Sequence, residues 1–342
     1  MAVILVVVAA IGIDAAINKM SSAEASALPA GDQVALSELS QYVASERDGD
    51  QSWIDVTLAD HPVLVMSKES HYSYLVNPSE PVSSVFAQQI DLAENPGQVA
   101  VYRISRLYPR LWPIKILGGS FNTIDETTSV LGSDVYYVKF DDAAINDQYS
   151  SEHFMTFLAH ESFHYYGQTQ WDPSSRFSAE LSEADYDLMA EKLGILDEVR
   201  ELLKADAPDS GRLRDAAARL VEVEARRAEA NPDYVTKEQW METVEGTAEY
   251  QGIMASRVVG YDFGIMYFDN TKDVPFADVV PFYRDGQLSE NFLRDRLPYE
   301  SGGQIALLLN ELDPAGDWQI YLNEQTSDQR RTLIGALSKL VA

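Results

Sequence analysis

HESFHYYGQTQ, residues 160–170, sets two of the chain's five histidines four positions apart, with a glutamate directly after the first. On an α-helix residues four apart share a face, so His160 and His164 can reach one ion while Glu161 stands about 100° round the axis beside them. The flanking residues in FMTFLAHESFHYY are strongly apolar. Polar groups embedded in such a segment need partners, and a metal ion satisfies both imidazoles at once. Zinc held by three protein ligands keeps a position for water and lowers the pKa of that water toward about 7. Glu161 is then placed to take the proton and hand it to a leaving group. The expectation is a hydrolase with Zn2+ as cofactor, His160 and His164 as ligands and Glu161 as the catalytic base.

Composition narrows the field. The chain has 342 residues, enough for a large core with appended elements or for two lobes. Acidic residues number 54 against 26 basic ones, a net charge of -28, which repels phosphate backbones and anionic membrane surfaces and argues against a nucleic-acid partner. There is no cysteine, so disulfides, thiolate metal sites and cysteine nucleophiles are excluded, and any zinc must use His and carboxylate ligands. The apolar run from Ala2 to Ile13 has the length of a signal-peptide core, and Ala23-Glu24-Ala25 and Ala25-Ser26-Ala27 suit signal peptidase, although no basic residue precedes the run. Residues 1–30 are therefore expected to be a signal peptide or a membrane anchor. The protein is expected to be exported, as a periplasmic or secreted enzyme.

Residues 31–150 read as an α+β lobe. Residues 32–47 suggest an amphipathic helix, and SWIDVTL, PVLVM, HYSYLV and WPIKIL suggest strands. A helix is expected near 83–92, and SDVYYVKF (133–140) is a strand rich in β-branched and aromatic residues. Residues 151–342 read as a helical lobe carrying the metal site, with Ser150 or Ser151 starting the helix of His160. Further helical patterns cover about 176–193, 195–205, 210–230, 236–257, 302–312 and 327–341. The 210–230 segment is charged nearly all round and reads as a solvated helix.

The HESFH motif resembles that of the zincin metallopeptidases, which implies a zincin-like α+β fold and a peptide or protein substrate. In that superfamily the strand before the helix is usually the sheet edge that aligns substrate, here residues 133–140. The metzincin branch extends its motif to a third histidine, but here Gly167 is followed by Gln170 at that position, which leaves Gly167 as a helix end. The gluzincin branch takes its third ligand from a glutamate on a later helix. Glu183, with Asp187 following, has the usual spacing; Glu245 in METVEGTAEY has the local pattern, shared with bacterial proteins that carry an E-G-x-A-x-Y element.

Glu245 is the chosen ligand, because Gly246 after it removes a side chain where two helices must approach closely for a carboxylate to reach the metal. Thr236 and Gln239 form a capping-box pattern that starts this helix, so Glu242, Glu245 and Glu249 share a face. The resemblance makes Glu249 an acceptor for the free N–H of His160, while Glu242 reads as surface charge. Tyr299 resembles a Y-x-x-G element and is the candidate to stabilise the oxyanion; Tyr165 and Tyr250 read as packing residues and His153 as a structural histidine. Two other readings stand beside this one, a non-catalytic zincin-like binding module and a zinc hydrolase of a non-peptide bond. The intact Glu161 speaks against the first.

Overall fold

Every residue of VLVMS, Val63–Ser67, is buried, so this run can only be an interior strand. The computed structural model describes residues 2–123, 127–173, 177, 181–326 and 329–342. Two compact units emerge, Met1–Gly167 with Ala255–Asp262, and Gln168–Met254 with Phe263–Ala342. The fold class is α+β, with a mixed sheet in the amino-terminal half and helices after it.

The first unit contains α1 (Ala2–Met20), α2 (Ala30–Arg47), β1 (Val63–Ser67), β2 (Ser73–Val76), β3 (Ala87–Ile90), β4 (Val101–Ile104), α3 (Trp112–Leu117), β5 (Thr128–Val130), β6 (Ser133–Phe140), α4 (Ala143–Asn146) and α5 (Phe154–Tyr166). The sheet order is β3-β4-β2-β1-β6-β5. β1 and β6 run parallel and the other neighbours antiparallel. Period-two alternation divides the core: Val63, Val65, Tyr136 and Val138 pack with α2 and α5, whereas Leu64, Met66, Val135 and Tyr137 pack with Leu111 and Ile114. Helix α1 is long and apolar enough to cross a membrane, by length and composition.

Several expectations for this unit are corrected. WPIKIL is helix α3, not a strand; Pro113 lacks an N–H for a ladder and fits the first helical turn. The expected helix at 83–92 is strand β3, paired with β4. SWIDVTL forms turns, with Asp55 at φ 62° and Trp53 buried against Phe163. β6 keeps its expected bounds but is not an edge, because β5 pairs with its start and Lys139 N–H donates to the Ser120 carbonyl further along. Helix α5 starts at Phe154, with His153 as its N-cap, rather than at Ser150 or Ser151.

The second unit is helical: α6 (Glu183–Leu203), α7 (Ser210–Ala230), α8 (Pro232–Val259), α9 (Val279–Arg284), α10 (Leu297–Leu312), α11 (Asp317–Asn323) and α12 (Leu333–Val341). The residues of α8 from Ala255 onward belong to the first unit. α6 is one helix where two were expected, started by a Ser182–Asp185 capping box and running through Gly194. The earlier part of that expectation, 176 and 178–180, lies outside the described residues, as do 327 and 328 of the last helical pattern. α8 begins at Pro232, a turn before Thr236, so the Thr236–Gln239 cap does not form.

Glycines fix how α8 and α10 cross. A Cβ on Gly246 would stand 2.4 Å from the Gly302 backbone, and one on Gly302 would stand 2.2 Å from the Glu242 carbonyl oxygen. Gly246 was expected to let the Glu245 carboxylate reach the metal; the close approach that it makes is to α10. Gly246→Ala should lower stability by about 1–3 kcal/mol, read as an earlier urea unfolding midpoint. An unchanged midpoint would mean that the crossing can open without cost.

Candidate metal centre

Helix α5 is apolar round most of its circumference, and from Phe154 to Phe163 all but Phe157 and Glu161 are buried. Tyr136 and Val138 of β6 pack beneath it, Trp53 meets the Phe163 ring edge-on at 4.7 Å, and Thr156 shares a 2.6 Å hydrogen bond with Ser256. His153 is stacked on Tyr261 at 3.6 Å, with Nε2 3.3 Å from Glu38, so its role is structural as expected. The helix ends at Gly167, where a Cβ would meet the Phe163 ring at 2.5 Å.

This frame turns His160 and His164 toward each other: their Nε2 atoms lie 3.2 Å apart with the rings inclined at 74°. Two nitrogens about 2.0–2.1 Å from one tetrahedral zinc would be about 3.3 Å apart. Glu161 is half-buried on the same helix. The sequence reading missed Tyr136, which is fully buried on β6, has a hydroxyl with no hydrogen-bond partner among the described residues, and feels the charge of Glu161. Burial first, and Glu161 second, raise its pKa well above the ordinary tyrosine value.

In the second unit α8 presents an acidic stripe. Glu238, Glu242, Glu245 and Glu249 are 2%, 1%, 7% and 1% exposed, and their spacing of four, three and four residues keeps them on one helical face. Lys192 lies 3.3 Å from Glu238 and 2.5 Å from Glu242, and Arg227 lies 2.5 Å from Glu238 and 2.6 Å from Glu224. Ser301 donates to Glu242 at 2.5 Å, and Arg296 stands 3.6 Å from Glu249. Glu242 is thus a buried partner of Lys192 rather than surface charge. Nor is α7 a merely solvated helix, since its Glu224 and Arg227 are buried in this cluster.

The two candidates for third ligand occupy different settings. Glu183 is exposed and, with Asp187, pairs with Arg284 at 2.9 and 2.8 Å. Glu245 is buried in the second unit, on the acidic stripe of α8. Gln168, four residues after His164, is a second residue the sequence reading missed; its buried amide donates to the Val244 carbonyl at 2.8 Å and to Thr247 at 3.0 Å, on either side of Glu245. Gln170 is exposed. Tyr299 lies in the first turn of α10, half-buried, with the Arg296 guanidinium 5.5 Å from its ring centre. Tyr250 is buried and donates to Asn310 at 2.9 Å, and Tyr165 packs against Tyr136. His61 is stacked on Tyr166 at 3.7 Å, and the His71 carbonyl accepts from Lys115. The donor set of two imidazoles and a carboxylate suits zinc. No family model, curated protein or solved structure matches this chain.

Three carboxylates, Glu224, Glu238 and Glu242, face two cations in the buried cluster. Burial raises the Glu242 pKa from 4.5 to about 7, Lys192 opposes the rise, and Glu238 and Glu224 add to it. A carboxyl that ionises near 4.5 when unfolded and near 7 when folded favours the folded state fully below 4.5 and loses that contribution as pH rises toward 7. Glu300, also raised to about 7 by burial, acts with the same sign. Stability should therefore fall less across that window in Glu242→Gln than in the wild type, measured by urea unfolding; parallel pH profiles would contradict the assignment.

Proposed function

We propose that this chain is a gluzincin-like zinc hydrolase, read most simply as a metallopeptidase acting on a peptide or protein. The observation that carries the reading is the pair of His160 and His164 Nε2 atoms 3.2 Å apart on one helix, with Glu161 between them in the chain. His160 and His164 through Nε2, and Glu245 through its carboxylate, would hold the ion. Bound there, zinc would supply Lewis acidity and bring the pKa of a water toward about 7.

The remaining chemistry belongs to the chain. Glu161, half-buried and one residue from His160, takes a proton from the attacking water and returns it to the leaving amine. Tyr299 is assigned as the donor to the developing oxyanion, and Glu249 as the acceptor that orients the His160 ring. A zincin-like arrangement, in which a mixed sheet is followed by the metal-binding helix, is supported by the position of α5 directly after β6 and α4. An apolar amino-terminal helix supports action beyond a membrane.

Glu161→Gln should keep its zinc and lose hydrolysis of a peptide library by about 10²–10⁴-fold. Metal analysis and turnover measured on one preparation check both halves. Full turnover in that variant would reject Glu161 as the base.

A further inference from the structure

The hydrolytic chemistry assigns no residue to the amino-terminal helix or to the ground at its foot. From Val3 to Val8 α1 shows only apolar side chains, and Val3, Ile4, Leu5, Val6 and Val8 are 61–75% exposed. Water does not favour so large an uninterrupted apolar surface. The other end of the helix is built into the first unit. Asp14 accepts from the Ser105 hydroxyl and, at 2.9 Å, from the Leu107 N–H. Asn18 is buried; its amide donates to the carbonyls of Phe86 and Arg103. The Arg103 guanidinium, itself only 3% exposed, donates back to the Asn18 side-chain oxygen at 2.8 Å and its carbonyl at 3.0 Å.

The chain then continues into the sheet. Ala25 N–H donates to the Asp91 carbonyl at 3.0 Å and Asp91 N–H to the Ala23 carbonyl at 2.8 Å, while Ala25 and Leu28 lie in the core. Cutting after Ala25 or Ala27 would strip a buried guanidinium of its Asn18 acceptors and remove this pairing, which is costly for a buried charge. The two segments that suit signal peptidase by sequence are thus structural parts of the folded unit.

The segment bonded to Asp14 has a character opposite to that of the whole chain. Between residues 95 and 124 the only charges are Arg103, Arg106, Arg110 and Lys115, in a protein of net charge -28. Arg106 and Arg110 are exposed, and beside them stand Leu107 and Trp112, 38% and 37% exposed, and Ile116 and Leu117, 75% and 84% exposed. Basic, aromatic and aliphatic side chains in one short stretch are the composition of a surface that rests in lipid headgroups. The helix ahead of Asp14 covers about 18 Å at 1.5 Å per residue, past the middle of a hydrocarbon core about 30 Å thick.

We infer that α1 is retained as a membrane anchor and that residues 105–117 at its base rest on the anionic headgroups of the same bilayer, with Trp112 at the interface. This stands independently of the metal centre. The test uses the full chain, isolated from membranes in detergent and returned to vesicles of phosphatidylcholine and phosphatidylglycerol with brominated acyl chains. The intact mass should include α1, and bromine should quench a component of the fluorescence that Trp112→Phe removes. That component should fall when Arg106 and Arg110 are both changed to Glu. A mature chain beginning at Ser26 or Leu28 would overturn retention. Quenching equal in the wild type and Trp112→Phe, or indifferent to the charge reversal, would overturn the resting surface.

Discussion

A helix that carries carboxylates into a protein interior must meet cations there, and α8 carries four, at Glu238, Glu242, Glu245 and Glu249. Lys192 and Arg227 answer the first two, and Arg296 stands beside the last. Glu245 is the member that the proposal assigns to the metal ion. The stripe gives the second unit its polar interior. It also sets the crossing with α10, because Glu242 accepts from Ser301 while Gly246 and Gly302 let the two backbones touch.

The sheet provides the corresponding frame for the histidines. β6 presents Tyr136 and Val138 to α5, and α2 packs on the same side, so the helix cannot rotate without opening the core. Its two rings are held with Nε2 atoms 3.2 Å apart, a separation suited to a shared ion. At the helix end Gly167 lets the chain turn past Phe163, and the Gln168 amide donates to the Val244 carbonyl and the Thr247 hydroxyl, on either side of Glu245.

The strands at 63–67, 73–76 and 133–140 were legible from their β-branched and aromatic runs, and the extent of the helix at 210–230 from its pattern, though not the burial of its charged face. WPIKIL and the 83–92 region were not. A short apolar run fits strand or helix equally until tertiary partners decide, as Ile114 against Leu111 and β3 against β4 do here. At the site, the His160–Glu161–His164 spacing and the glycine after Glu245 were readable signals. Glu242, Glu224 and Arg227 were not, because a charged helix face looks the same in sequence whether it meets water or a buried lysine from another helix. A search for further glutamates at three- and four-residue steps would have added Glu238 to the stripe, whereas nothing local marks Tyr136 or Gln168.

The claim at the centre is that Glu245 closes a zinc site with His160 and His164, while Glu183 serves a surface ion pair. Zinc content by elemental analysis of the wild type, Glu245→Ala and Glu183→Ala tests it most directly, with circular dichroism confirming that each chain is folded. Stoichiometric zinc in the wild type and Glu183→Ala, and its loss in folded Glu245→Ala, is the predicted pattern. Loss confined to Glu183→Ala, or a wild type that takes up no zinc, would contradict it.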